Sequence, residues 1–337
     1  MDPLIAFHLA AELTNRCNLN CVHCFRTNNT AAQPDLAIDV YEKFLRESLS
    51  YRSQHITLTG GGEPTLHQDF EVILDLTARY NYTYTLITNG WTFEQTYPLF
   101  ARYRSNLRSI VFSLDGAKAE THDSIRQRAG AYQKVLQACL ICYYKQIPFQ
   151  LTMTVNRLNV EEIEDFVSLA SKLGAEEVNL GAAQLTEKLV AQELALSPRQ
   201  RKDLHTGILA LTERATLPVN PGFDFFIENP LVPCYPLRMS TLLLDYGGRI
   251  RFCCQLSGYD TGAGKDILCD LHESSVWECH QTLVQRVAEF QHEKIRRIEQ
   301  RALTENDHFP CYYCAKYFQK LEWLKNFPES EWSDDDR

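Results

Sequence analysis

The chain has no apolar run as long as the roughly 18–20 residues that a membrane-spanning helix needs. Its first residues, MDPLIAFHLAAELTNRC, carry neither a basic flank nor a small-residue cleavage site, so they do not read as a secretory signal peptide. They read as a first strand, and the expected location is cytoplasmic. There is no long Lys/Arg block either. Over 337 residues the formal net charge is −9, which leaves generic nucleic-acid binding without a basic footprint. No internal repeat is found. Cysteine, by contrast, is abundant, with twelve in the chain. In a reducing compartment this points away from structural disulfides and toward metal ligation or redox chemistry. A hydrophobic fraction of 45% suffices for one sizeable core and a smaller appendage.

Strand-like runs at 5–13, 55–60, 84–90, 109–116, 149–156 and 177–182 alternate with helical patterns near 35–51, 69–80, 92–104, 120–145 and 160–173. Ser197 followed by Pro198 marks the start of a further helix. Six strand–helix units in a row predict a parallel α/β sheet, doubly wound or rolled into a barrel. Either architecture binds ligands at the carboxyl ends of its strands. The segments NRCNLNCVHCF (15–25), GGGEP (60–64), TNG (88–90), SLDG (113–116) and VNRLN (155–159) all fall at or just after such ends. Near residue 216 the character changes. LPVNPGFDFFIENPLVPCYP carries five prolines and reads as a linker or wrapping segment. TLLLDYGGRIRFCC then predicts a hairpin about a Gly-Gly turn. The expected organisation is a barrel over 1–216, a smaller domain over 217–327 with its linker at 217–233, and a disordered acidic tail over 328–337.

The run at 15–25 is short of a ligand. Cys17, Cys21 and Cys24 supply three thiolates, where a structural zinc site or an iron–sulfur cluster normally takes four. From the residues alone two readings stay open. A zinc site could be completed by His23 or a distant side chain. Alternatively, three thiolates hold three irons of a 4Fe–4S cube and leave the fourth iron for an outside ligand.

Cys-x3-Cys-x2-Cys with His23 before the last cysteine resembles the signature of the radical S-adenosylmethionine (SAM) superfamily. The later segments resemble that family in order. GGGEP, with Gly60, Gly61, Gly62, Glu63 and Pro64, is similar to the stretch that receives the methionine amino group. SLDG and the following ETHDSIR are similar to the fourth-strand segment. The resemblance implies that Ser113 and Asp115 lie at the ribose or methionine, and Arg126 at the carboxylate. It likewise implies that Asn156 in TVNRLN approaches the ribose and that Leu180 in VNLG lies beside the adenine. Each has a physical reason: glycine admits close backbone approach, and a guanidinium pairs with a carboxylate in a planar fork. The resemblance covers about residues 5–182 and implies a partial (β/α)6 barrel.

Cys234 and Cys253, as Cys-x13-Gly-x4-Cys with Gly248 in the middle place, match the opening of the SPASM and twitch extensions that follow such barrels. The full seven-cysteine pattern is absent, since only Cys311-x2-Cys314 follows. The resemblance therefore implies the shorter twitch arrangement, one auxiliary 4Fe–4S cluster on Cys234, Cys253, Cys311 and Cys314. A zinc ribbon on the same four is the alternative. Cys254 rivals Cys253, but neighbours on a strand point to opposite faces, so one of them is expected at the cluster. Cys254 is then core, or a thiol hydrogen-atom donor facing the active site. Cys269 and Cys279 could also ligate or donate. Cys139 and Cys142 share a helical face with Val135 and read as core.

The resemblance implies reductive cleavage of SAM to a 5′-deoxyadenosyl radical that takes a hydrogen atom from a substrate C–H bond. The favoured substrate is a ribosomally made peptide, crosslinked by the enzyme. Alternatives are radical epimerisation with a cysteine donor, and small-molecule dehydrogenation or cofactor synthesis. A zinc-binding adaptor is the non-enzymatic reading. An electron donor such as flavodoxin or ferredoxin is implied. Because the barrel begins near residue 1, no N-terminal peptide-recognition domain is expected, and a leader would dock elsewhere.

Overall fold

A computed structural model of the chain describes residues 7–26, 35–51, 53–259 and 264–333. Six strands fall where the pattern predicts them: β1 (His8–Glu12), β2 (His55–Thr59), β3 (Thr83–Thr88), β4 (Leu107–Ser113), β5 (Phe149–Val155) and β6 (Val178–Ala182). They pair in chain order and all in parallel. Parallel pairing needs a crossover between strands. The helices α1 (Ile38–Ser48), α2 (Phe70–Arg79), α3 (Phe93–Arg102), α4 (Ala119–Arg126), α5 (Ala131–Tyr144) and α6 (Ile163–Leu173) supply it. Strand β5 shows how the two faces divide. Phe149, Leu151, Met153 and Val155 are buried, while Gln150, Thr152 and Thr154 between them are partly open.

One predicted helix is two. The pattern over 120–145 runs through Gln127 (φ 55°) and Gly130 (φ 83°), both left-handed. The Asp123 carboxylate accepts from the N–H groups of Gly130 (2.6 Å) and Tyr132 (2.8 Å), fixing the break. Helix α4 consequently ends at Arg126, and its Ile125 carbonyl is left free to accept the Val22 N–H of the cysteine loop at 2.8 Å.

After β6 come α7 (Glu187–Ala191) and α8 (Pro198–Arg214), the latter starting at a capping box between Ser197 and Gln200. The proline-rich stretch contains a short strand, β7 (Val219–Pro221), parallel to β6, so the sheet continues into the expected linker. The hairpin β8 (Thr241–Leu244) and β9 (Arg249–Arg251) turns at Gly248, whose φ of 81° suits glycine. It does not stand apart from the barrel: β8 pairs in parallel with β1. Helix α9 (Cys254–Ser257), strand β10 (Ile267–Asp270, antiparallel to β9), helix α10 (Val276–Glu299) and helix α11 (Pro310–Tyr317) complete the chain. The described residues form one ten-stranded sheet in the order β10-β9-β8-β1-β2-β3-β4-β5-β6-β7.

That sheet curls. Strands lie about 4.8 Å apart, so seven of them laid flat would spread over about 30 Å. Yet a single cavity of about 370 Å³ is lined from the ends of β1 through β6, from Asp224 just after β7 and from Cys254 at the start of α9.

Three expectations change. Cys269 and Cys279 form a disulfide between β10 and α10, which takes both out of ligand or donor duty. Trp332, placed in a disordered tail, is buried: its indole donates to the Leu196 carbonyl at 2.8 Å and Arg201 lies over its ring. The rest of that tail, 334–337, lies outside the described residues. Cys253 and Cys254 follow β9 rather than lying within it, so strand alternation does not govern them. Cys139 and Cys142 are fully buried on α5 beside Val135, as the periodicity predicts. Among the described residues no helix is long and apolar enough to cross a membrane.

Candidate active site

The cysteine loop is held from three sides by backbone bonds. Gly62 N–H donates to the Thr14 carbonyl (2.9 Å), Glu63 N–H to the Arg16 carbonyl (2.8 Å) and Val22 N–H to Ile125 on α4. Arg128 donates to the Asn18 carbonyl (2.9 Å), and the Asn89 amide donates to the Asn18 side chain (2.8 Å). The glycines of GGGEP have a packing reason beyond ligand approach. A Cβ on Gly62 would lie 1.9 Å from the Arg16 carbonyl oxygen, and one on Gly61 would lie 2.4 Å from the Arg26 guanidinium.

Cys17, Cys21 and Cys24 line the cavity, as do His23, Gly60, Gly61, Gly62, Glu63, Ser113, Arg126 and Cys254. The remaining sequence candidates stand behind that wall. Asp115 is wholly buried; its carboxylate forms an ion pair with Arg126 Nε (2.7 Å) and accepts the Thr154 N–H (2.9 Å). Arg126 in turn donates from Nη1 to Cys21 Sγ (3.6 Å). Asn156 turns its amide inward: its oxygen accepts the Leu158 N–H (2.9 Å) and its nitrogen donates to the Thr154 carbonyl (3.3 Å). Glu63 is a bracket between loops, accepting from the hydroxyls of Thr65 (2.7 Å) and Thr88 (2.8 Å) and from the Asn89 N–H (2.8 Å). Pro64 and Leu180 are buried beside lining residues.

The thiols here are reluctant acids. Burial pushes Cys17 up to about 11 and raises Cys21, against the pull of Arg126. Thiolates in this cavity therefore call for a cationic partner of their own, as a metal centre provides. Three thiols on one loop, opening into a cavity floored by glycine backbone, fit a cluster with one iron left for another ligand. Burial also lowers His23 to about 4, so its ring is neutral.

A second thiol group forms from distant segments. Cys311 and Cys314 share a face of α11 at i, i+3. Cys253, Cys311 and Cys314 each lie within electrostatic reach of Cys234, and burial raises all four. Cys254 shares a hydrogen bond with Cys253, which with burial drives Cys253 well up. Cys254 is thus not core: it is exposed, lining the cavity on one side and touching the second thiol group on the other. Among the described residues no three His, Cys, Asp or Glu side chains converge on a single-ion site.

Sequence reading missed several lining groups. Glu12, buried at the end of β1, accepts from Arg26 (2.5 Å) and Ser257 (2.7 Å), joining the cysteine loop to α9. Its signal was available, as a lone carboxylate in an apolar strand. Asp224 also lines the cavity; burial raises it to about 6, and one of its oxygens has no partner. It gave no signal, lying in what reads as a linker.

Residues 11–170 match the model of the Radical SAM superfamily. The chain is 37% identical to the AdoMet-dependent heme synthase of Methanosarcina barkeri over 175 residues, 50% of this chain and 48% of that protein. It thus spans about half the length of that relative. With the mycofactocin maturase MftC of Mycobacterium ulcerans the identity is 30% over 284 residues, 80% of this chain and 74% of that one. The solved structure of anSMEcpe with bound AdoMet and the Cp18Cys peptide has the same fold, at a TM-score of 0.67 and 17% identity, covering 96% of this chain and 98% of that one. Members of the matched family hold a 4Fe–4S cluster and SAM. The ordered motifs, their meeting in one cavity and the match over most of the maturase's length make this chain a member of the radical SAM superfamily.

Proposed function

We propose that the protein is a peptide maturase that modifies a C–H bond of a ribosomally made peptide. The observation that carries this reading is one cavity holding both the three-thiol loop and Cys254, under strand ends bearing Gly60–Gly62, Ser113 and Arg126. Cys17, Cys21 and Cys24 would hold the SAM cluster, and Cys234, Cys253, Cys311 and Cys314 an auxiliary one. Bound there, cluster and SAM would supply the radical chemistry for removing a hydrogen atom. Asp115 holds Arg126 in place through Nε, and with Nη1 on Cys21 the other terminal nitrogen would serve the SAM carboxylate. The curled sheet keeps bulk water from the radical. A low-potential donor such as flavodoxin or ferredoxin provides the electron.

The mycofactocin maturase relative supports a peptide substrate, and the heme synthase relative supports a small molecule as the second reading. Between peptide products, a crosslink needs net loss of electrons, whereas inversion of a centre needs a hydrogen atom returned. The exposed Cys254 thiol in the cavity supports inversion.

The test is anaerobic. The reconstituted protein is given dithionite and SAM in D2O, and 5′-deoxyadenosine is measured by mass. Deoxyadenosine carrying deuterium, with that deuterium lost in Cys254→Ala, is the expected result, because an S–H exchanges with solvent. No deoxyadenosine would sink the radical reading. Deoxyadenosine with unchanged deuterium in Cys254→Ala would remove only the inversion.

A further inference from the structure

The polar groups that line the cavity are unequally occupied. Glu63 accepts from three donors, and Glu12 from Arg26 and Ser257. Gln184, just past β6, and Asp224, just past β7, line the same cavity and are only 7% and 4% exposed. Among the described residues, neither Gln184 Nε2 nor Asp224 Oδ1 has a hydrogen-bond partner. A buried polar atom in that state is a liability, so each one needs a reason. Here there are two, one on a donor and one on an acceptor, in a single cavity.

The fold brings both to one side. Gly222 N–H donates to the Leu180 carbonyl at 2.8 Å, which lays the turn after β7 against β6. Glycine at 222 leaves room for the carboxylate, since a Cβ there would fall 2.5 Å from Asp224 Oδ1; Oδ2 lies 3.4 Å from where a Cβ on Gly181 would stand. Asp224 thus meets the segment that carries Gln184. Tyr259 donates to the Leu185 carbonyl at 2.7 Å, tying that segment to the chain just after α9, the helix that begins at Cys254. Among the described residues no basic group stands within ion-pair distance of Asp224. Arg201 on α8 donates instead to the Ala183 carbonyl at 2.6 Å and lies over the Trp332 ring. Its charge still favours the ionised carboxylate, as do the N–H groups of Ala182 and of Asp224 itself. With that counter-charge in the same buried surround, a neutral donor suits Asp224 better than a second cation. An ionised carboxylate accepts, and a side-chain amide nitrogen donates. A peptide group offers both complements at once, an N–H and a C=O.

We propose that Gln184 and Asp224 are substrate-binding residues that grip one peptide group, Asp224 accepting its N–H and the Gln184 amide donating to its carbonyl. This rests on the peptide-maturase reading given above, and it names the chemical class that the β6–β7 side of the cavity selects, a neutral secondary amide.

The test uses the full chain, loaded with iron, given SAM and left unreduced, and measures binding by ligand-observed NMR. The probe is N-acetylalanine N-methylamide, and its counterpart is the lactate analogue in which oxygen replaces the alanine N–H. The parent is expected to bind the amide at least about tenfold more tightly than the ester, because a hydrogen bond to a charged acceptor is at stake. Asp224→Leu should bring that preference below about threefold, whereas Gln184→Leu should weaken both probes alike, by about threefold or more, and leave the preference intact. A parent that binds amide and ester equally overturns the proposal. So does a preference that survives Asp224→Leu, or binding that Gln184→Leu leaves unweakened. An equal loss of SAM binding in either variant would place the pair at the nucleoside and overturns it as well. Where a leucine variant fails to fold, Asp224→Asn and Gln184→Met decide by the same criteria. A parent that binds neither probe is a different outcome, and it refutes the peptide reading itself.

Discussion

The two thiol groups of this molecule are built in opposite ways. The first comes from a single loop, Cys17 to Cys24, pinned by neighbouring strand ends and by α4. The second is gathered from three places far apart in the chain: the segment before β8, the start of α9, and α11. At the first, Arg126 donates to Cys21 and is itself matched by the Asp115 carboxylate. The first opens directly into a cavity, whereas the second meets that cavity through its neighbour Cys254. A site that must admit a cofactor keeps its own charges balanced and its front open.

The widest break between the two is functional. Cys17→Ala/Cys21→Ala/Cys24→Ala should cut deoxyadenosine formation at least about a hundredfold, since the chemistry resides in the cofactor. Cys311→Ala/Cys314→Ala should remove about four irons and leave substrate-free SAM cleavage within about threefold. Equal losses from both would mean that the sites are not separable. Next comes Asp115→Asn, which leaves the buried Arg126 without its carboxylate. A buried pair broken on one side costs about 3–5 kcal/mol, read by denaturant unfolding, and no measurable change would contradict the described ion pair. Gly62→Ala should cost about 1–3 kcal/mol, because its Cβ would meet the Arg16 carbonyl. It should lower iron uptake at the first site while sparing the second. The smallest effect belongs to Ser275→Ala at the cap of α10, about 1 kcal/mol. It confines itself to the second region, leaving SAM cleavage unchanged; altered cleavage would show that the two regions are coupled.

What sequence could reveal follows the same division. The six strands, the helices between them and the loop residues were legible because their signals are local: alternation, spacing and a capping serine. The break after Arg126 was hidden, since Gln127 is not a residue that announces a left-handed turn and Asp123 does its work through space. The pairing of β8 with β1 was hidden because no local pattern reports a partner so distant. Lys294 looks in sequence like any lysine on a charged helix, and only packing turns it inward. The glycines read in sequence as room for a ligand, and what the structure places against Gly62 is the chain itself.

The pairing of β8 with β1 also imposes an order of events. Strand β1 carries the cysteine loop and is made well before its partner, so one of its edges stays uncovered until β8 follows. An open parallel edge is slow to satisfy and prone to mispairing with other chains. Nascent chains and truncations ending before Thr241 should therefore aggregate through that edge, and full solubility should arrive only with the hairpin.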